Sequence, residues 1–528
     1  MPINWHARSS AIIESHELVD QDLSRANASK TALEDIRCAL RGSMNRPSRP
    51  FLRKLTLLDL LDEILLGIFG HLEYNSLVHF SRPEIKALRL VCKRISDIAS
   101  HLLMRVVHLN LHEESSLKRL EEVSCHPIIA KGVHAVNIRL MFYNQSFTEM
   151  ENLLEHYAFE IADTVDMYER CRMWEFGSGK TSEEEAAQLL ADGQDVVATL
   201  YHLLAPGERA EDLEHHALQV SETHRLYLEL LQRQNLFLQG DNLYQAFGSA
   251  MARMPHARSL AFDDADMSFW AGNTQHIMTP GVDMWESLCS QMLAPLSGYH
   301  VEKHLLDSPS LRCVPRLIDA VRDAGVLLHH LDIKLLRHED SRADRDDLDG
   351  GNGEYLTGLI GFLSACLDTS SLQSVDLDMR GDGRFTLRLK DVFNQKRSLD
   401  KLTDVFLGNW DVNYTDLAVF LRRLPTRMES FSMYNVNLLT GSWRDVLDAV
   451  REKKCGYALL KDPQGAEREG MAEEGYRRIF EDEVGHMSLA ERYMSSRGSW
   501  LKNPILDQEY TLSDEEDSDE EDDTMDEE

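Results

Sequence analysis

The chain is short of cysteine. Eight occur in 528 residues, at positions 38, 92, 125, 171, 289, 313, 366 and 455, and no two form a CxxC pair. That density is too sparse for a disulfide scaffold. No apolar run reaches eighteen residues, and Met1-Pro2-Ile3-Asn4-Trp5-His6 opens no apolar signal core. Neither a spanning helix nor a secretion signal is therefore expected. Basic charge is scarce: 56 Lys and Arg face 89 Asp and Glu, a formal net charge of −33. A phosphate-binding surface needs clustered cations, so neither nucleic acid nor a membrane is expected as a partner. Twelve of the acids lie between Ser513 and Glu528, which leaves −21 on the remainder, so the bias is global. The expected setting is a reducing one, cytoplasmic and/or nuclear.

Short catalytic patterns are also lacking. Gly177-Ser178-Gly179-Lys180-Thr181 looks like the end of a phosphate-binding loop, but Trp174 stands where the first glycine belongs. Three carboxylates, Glu183 to Glu185, follow it and would repel a triphosphate. Asp376-Leu377-Asp378-Met379-Arg380-Gly381 resembles the start of a calcium loop, yet Arg380 and Leu387 replace oxygen ligands, so a turn is expected there. His215, His216 and His224 have no cysteine at zinc-ligand spacing. HExxH and GxSxG are absent. No cofactor, metal ligand or catalytic residue is expected, although a triad assembled from distant residues would leave no short pattern.

What is present is organisation. Residues 1–52 are polar, end near Arg46-Pro47-Ser48-Arg49-Pro50, and read as a flexible arm. The composition then changes abruptly. Apolar residues at 60, 61, 64, 65, 68, 69 and 72 have helical spacing, with Asp59 as the cap and Asp62 and Glu63 against the N-terminal dipole. Ser81-Arg82-Pro83-Glu84 starts a further helix that presents Ile85, Leu88, Cys92, Ile95, Ala99 and Leu102 on one face. So small a bundle, 53–103, buries little by itself and is expected to dock on something.

Beyond it a phrase recurs, apolar-x-x-apolar-x-apolar. It ends at Leu109, Ile138, Phe262, Ile333, Leu377, Leu407 and Met433, at intervals of 29, 124, 71, 44, 30 and 26 residues. A strand plus a helix every 26 to 30 residues is the arithmetic of a leucine-rich-repeat array. Trp410 and Val436 stand where that repeat places Asn or Cys. An ordinary α/β domain remains the alternative. The fold class expected is α+β or an α/β solenoid: a helical bundle, then an irregular strand–helix array over 104–460. A helical insertion fills about 147–248. Asp340 to Glu354 reads as a surface loop and 461–500 as a charged segment with one helix near Tyr476–Met494. The acidic tail, 501–528, reads as disordered, with Ser513 and Ser518 preceding acids as acid-directed kinases prefer.

The segment from Leu57 to about Leu103 resembles an F-box. Leu57-Leu58-Asp59-Leu60-Leu61-Asp62-Glu63-Ile64-Leu65 matches the family's opening helix, and Leu88-Arg89-Leu90-Val91-Cys92-Lys93-Arg94-Ile95 its second signature. The continuation to Val106 looks like the filamentous-fungal version, in which the F-box runs into leucine-rich-repeat-like strands. Leu61 stands where the family usually has Pro, and the Leu72–Leu88 loop is somewhat long. The resemblance implies a non-catalytic substrate receptor of an SCF-type cullin-RING ubiquitin ligase. The F-box would dock on a Skp-type adaptor that bridges to a cullin, and the repeats would hold an unidentified protein substrate. It places Leu58, Leu60, Leu61, Ile64, Leu65, Ile68 and Leu72, then Leu90, Val91, Cys92, Lys93 and Ile95, at the docking surface or its support. A scaffold that binds the adaptor without a cullin fits the same residues.

Overall fold

The computed structural model describes residues 57–74, 83–175, 183–205, 213–264, 283–296, 309–337, 352–381, 389–393, 399–466, 471, 473–481, 487–495 and 502–506. The expected arm, the phosphate-loop lookalike at 177–181, Ser513 and Ser518 lie outside these. So do most of the Asp340–Glu354 segment and the acidic tail beyond Leu506. The chain divides into an N-terminal unit ending at His71 and a larger unit beginning at Leu72.

In the first unit a 3-10 turn, Leu57–Asp59, precedes helix α1, Asp62–Tyr74, whose last residues run past the division. Asp59 lies in that turn, three residues ahead of the first residue of α1. Leu61 holds the cap position, its carbonyl accepting from the Ile64 and Leu65 amides at 3.1 and 3.0 Å, and Asp62 and Glu63 occupy the first turn.

The second unit opens with α2, Pro83–Leu88, and α3, Lys93–Ser100. One helix across this stretch was expected, and the chain breaks it. Arg89, Leu90 and Val91 close a turn on the end of α2, and Cys92 is extended at φ −162°, ψ 164° before α3 begins.

The remaining elements run in order β1 Val106–Asn110, α4 Glu114–Cys125, α5 Ile129–Gly132, β2 Ala135–Arg139, α6 Met150–Glu175, α7 Glu183–Leu204, α8 Glu214–Gln239 and α9 Asp241–Arg253. Then come β3 Ser259–Asp263, α10 Met284–Met292, α11 Pro309–Asp323, β4 His330–Arg337, α12 Asn352–Leu367, β5 Ser374–Gly381 and α13 Leu389–Val392. The last stretch holds β6 Asp404–Gly408, β7 Asp411–Asn413, α14 Tyr414–Arg423, β8 Ser430–Tyr434, β9 Asn437–Thr440, α15 Trp443–Arg451, β10 Tyr457–Lys461, β11 Gln464–Gly465, α16 Glu473–Phe480 and α17 Leu489–Ser495.

Among the described residues, eight strands form one parallel sheet in the order β1-β2-β3-β4-β5-β6-β8-β10. Each recurring phrase lands on a strand, and the phrases align in register. Val107 pairs with Val136, Val136 with Leu260, Leu260 with Leu331, and so on through Val375, Val405 and Phe431 to Ala458. Parallel strands need a crossover, and helices supply it. Because strand side chains alternate, Val107 and Leu109 and their counterparts point into a single core. That core also takes Leu120 of α4, Phe247 of α9, Leu317 of α11, Leu363 of α12, Leu421 of α14 and Leu447 of α15. At Gly248 of α9 a Cβ would meet the Ala320 carbonyl oxygen of α11 at 2.6 Å, so only glycine permits that helix approach.

Three further expectations are corrected. Asp376 and Asp378 lie inside β5, not in a turn, because the buried Val375, Leu377 and Met379 alternate with them. Within the segment expected to be charged, 461–500, Tyr476, Ile479, Phe480 and Tyr493 join the main core, as does Ile505 beyond it. The helix expected near Tyr476–Met494 is two, α16 and α17, since Glu481, Met487 and Ser488 are not helical. Finally, α9 belongs to the main core, so the inserted block is α6, α7 and α8 with a core of its own, which α10 joins through Met284, Leu288 and Met292.

The array carries its own cross-ties. After β6, β8 and β10 stand Asn409, Asn435 and Asp462 with φ of 63°, 49° and 52°, a left-handed conformation that Asn and Asp tolerate. These corners lead into the short parallel sheet β11-β9-β7. Asn435 Nδ2 donates to Asn409 Oδ1 at 2.7 Å, and Asn409 Nδ2 to Asp378 Oδ1 at 2.8 Å. These asparagines stand one position before Trp410 and Val436. Cations link successive helix ends: Arg423 donates to the Phe393 carbonyl and Lys453 to the Leu424 carbonyl, both at 2.9 Å.

The inserted block is fixed to the end of β2 by side chains acting on backbone. Buried Gln234 of α8 accepts from the Tyr143 amide at 2.7 Å and donates to its carbonyl at 3.1 Å. The Tyr227 hydroxyl accepts from the Asn144 amide at 2.6 Å and donates to its carbonyl at 3.2 Å. Replacing Gln234 by Ala leaves both Tyr143 groups without this partner, an expected cost of about 2–4 kcal/mol. An unchanged urea midpoint for Gln234→Ala would show that the clamp contributes nothing.

Candidate functional site

The site is built on α1. Residues 65 and 69, one turn apart, are buried, while Ile64 and Ile68, the adjacent stripe, are 48% and 42% exposed. An amphipathic surface helix carries one apolar stripe facing its core. This helix carries two, and one of them faces outward. Ahead of it Leu57, Leu58 and Leu61 are exposed too, Leu61 at 65%. An exposed apolar surface of several contiguous residues marks an interaction site more often than chance.

Within the larger unit, the α2–α3 turn makes a second patch. Leu90 is 87% exposed and Val91 is exposed beside it, whereas Ile85, Ile95, Ile98 and Ala99 are buried. The helix break puts Leu90 and Val91 outside; one continuous helix would have carried them round its axis. Here sequence reasoning named the residues and misread the local structure that displays them.

The residues expected at the docking surface therefore separate. Leu58, Leu61, Ile64, Ile68, Leu90, Val91 and Lys93 are exposed, and Leu60 and Cys92 are half-buried. Leu65 and Ile95 are buried inside the fold, which leaves them the supporting half of the expectation. Leu72 lies in α1, and its side chain is outside the described residues.

The second surface is the sheet's other face, part of the repeats expected to hold a protein substrate. Side chains that alternate with the core positions lie on that face: His108, Asn137, Ala261, Asp332, Asp376, Phe406, Ser432 and Leu459 form one in-register row, half-buried except for Ser432, which is buried. None belongs to either cluster of buried apolar side chains. The signal that could have found this row is the x of each phrase, read down the repeats.

The titratable groups elsewhere are engaged in packing. His216 stacks on Trp285 with centroids 4.3 Å apart, and His224 Nε2 lies 3.0 Å from the Phe147 carbonyl. No group of His, Cys, Asp or Glu among the described residues could hold a metal ion. In the inserted block, burial pushes the Tyr143 phenol up to about 12 and raises Tyr157 and Tyr227 as well. Their hydroxyls bind backbone carbonyls, Tyr157 that of Gln291 at 2.8 Å and Tyr143 that of Leu293 at 3.3 Å.

A cleft of about 590 Å³ lies beside this block, walled by Asn144, Gln145, Asn235, Tyr244, Cys313 and Arg316. Arg316 is taken up by the Tyr244 ring at 3.8 Å and by Asp241 at 2.6 Å, and burial raises the Cys313 thiol. No described helix is long and apolar enough to cross a membrane. No protein-family model, curated protein or solved structure matches this chain.

Proposed function

We propose that the chain is a substrate receptor of an SCF-type cullin-RING ubiquitin ligase. Its F-box-like segment docks on a Skp-type adaptor, and its strand–helix array, read as an irregular leucine-rich-repeat-like solenoid, holds the protein to be ubiquitinated. The observation that carries this reading is the double apolar stripe of α1, buried along Leu65 and Phe69 and open along Ile64 and Ile68. Support for the array comes from eight strands paired in sequence order, the last three 26 and 27 residues apart by register. Catalysis then needs no acid, base or nucleophile from this chain. It raises the concentration of a substrate's lysines near a ubiquitin-charged enzyme held elsewhere in the assembly.

Affinity purification of the tagged full-length chain from its own cells tests this. Adaptor and cullin are expected together in the eluate, identified by mass. Adaptor without cullin would leave a scaffold and sink the ligase role. Absence of both would sink the docking assignment as well.

A further inference from the structure

The edge of the array where the strands begin has a charge unlike that of the chain as a whole. The connections into β1, β2, β3 and β4, residues 101–105, 126–134, 254–258 and 324–329, hold no Asp or Glu. They hold Arg105, Lys131, Arg258 and five histidines, and a sixth, His330, opens β4. The last turns of α3, α4, α9 and α11 add two arginines and three acids. This edge therefore stands at +2 before any imidazole is charged, on a chain whose net charge is −33. Helix C-termini attract cations through their dipole, but Arg105, Arg258 and His329 lie beyond the last turns.

Backbone pairing lines these residues up. The Arg105 carbonyl accepts from the His134 amide at 2.8 Å, that of His134 from Arg258 at 3.1 Å, and that of Arg258 from His329 at 2.8 Å. Strands lie about 4.8 Å apart, so the row is about 14 Å long. His256 stacks on His134 with centroids 5.8 Å apart, and His330 lies beside His329. Arg258 and His330 are exposed, and among the described residues neither makes an ion pair or a side-chain hydrogen bond. Burial holds the His329 pKa below its usual value, and so do Arg258, His330 and Lys401, all of one sign. Like charges on adjoining strands cost stability, and an anion laid over them offsets that cost.

The same chain carries a complementary segment. Twelve acids lie between Ser513 and Glu528. The chain leading to them is anchored at Pro504–Leu506, where Ile505 enters the main core and Asn503 donates to the Arg444 carbonyl at 2.9 Å. From β10 to β4 is four strand spacings, about 19 Å. Asp514 is eight residues beyond Leu506, about 26 Å of extended chain.

We infer that the acidic tail, Ser513–Glu528, docks within its own chain along the row Arg105, His134, Arg258 and His329. The net charge of the chain repels a free polyanion, whereas a tethered one is held near the row at about millimolar effective concentration. The inference goes beyond the receptor reading and does not rest on it.

Carbodiimide cross-linking of the full-length protein, with the joined peptides identified by mass, tests it. Tail carboxylates are expected to join Lys131 and Lys401 about 5-fold or more above Lys86 and Lys118, exposed lysines of α2 and α4, each yield normalised to that lysine's acetylation rate. Arg258→Gln/His330→Gln changes two exposed side chains and is expected to lower the Lys131 and Lys401 yields about 5-fold with an unchanged circular-dichroism spectrum. The same loss is expected of the parent in about 0.5 M NaCl, where no substitution is needed. Yields at Lys131 and Lys401 no higher than at Lys86 and Lys118 overturn the inference, as do yields that neither salt nor the substitutions lower. Mixing isotope-labelled and unlabelled protein separates links within a chain from links between chains. Links found between chains alone would give the row to the tail of a second copy and overturn docking within the chain.

Discussion

Replacing Ile64 and Ile68 together by Asp is expected to abolish capture of a Skp-type adaptor while the array stays folded. Burying a Leu- or Ile-sized side chain contributes about 1.5–3 kcal/mol. Two of them, each already half-covered, still represent about 3 kcal/mol or roughly 100-fold in affinity. Asp adds a penalty of its own, because a carboxylate pressed against an apolar partner surface loses its water. In the free protein both positions face solvent, so the charges cost the fold little. Replacing Leu65 by Ala is the informative contrast. It empties a fully buried position and costs about 2–5 kcal/mol of folding free energy, so any loss of capture there comes with loss of α1 itself. Undiminished pull-down of adaptor by Ile64→Asp/Ile68→Asp, beside an unchanged circular-dichroism spectrum, would remove α1 from the interface.

Trp410→Ala is expected to be the most damaging single change in the array. Trp410 is fully buried just after the left-handed Asn409, and its indole N–H donates to the Leu377 carbonyl at 3.2 Å, tying the β6–β7 joint back to β5. Trp-to-Ala truncation in a core costs about 3–5 kcal/mol, a large part of a total that is about 5–15 kcal/mol for most domains. Each strand of the large sheet pairs only with the strands just before and after it in that sheet's order, so the loss should be local. Hydrogen exchange is expected to show amides of β5, β6 and β8 losing protection by a factor of about 100 or more, while β1 and β2 keep theirs. Trp410→Phe keeps most of the volume and drops the hydrogen bond, at about 1 kcal/mol. Uniform loss of protection along the whole sheet would show that the array unfolds as one piece.

Much of this fold can be read from the residues. Every phrase with large apolar side chains, from Val107 and Leu109 to Phe431 and Met433, marks a strand, and the register follows the phrase. The eighth strand, β10, has the same spacing in Cys455-x-x-Ala458-x-Leu460, but two of the three residues are small and raise no hydrophobic signal, although all are fully buried. Strands β7, β9 and β11 escape for a different reason: they are short and placed by left-handed corners rather than by alternation. The candidate site was legible as residue types. Which residues of α1 would face out was not, since 64/68 and 65/69 are equally apolar and only packing decides between them.

The order of the sheet has a consequence for synthesis. Each strand leaves the ribosome after the one it pairs with, so the array can assemble in the order in which it is made. From β6 to β10 a new partner arrives every 26 or 27 residues, a matter of seconds at roughly 5–20 residues per second. Between β2 and β3 the wait is 124 residues, roughly 6–25 s, during which β2 is the growing edge. Helices α6 to α8 emerge in that interval, and Gln234 and Tyr227 of α8 reach the chain immediately beyond β2. The block is thus placed to hold the unfinished edge of a nascent sheet until its next strand appears.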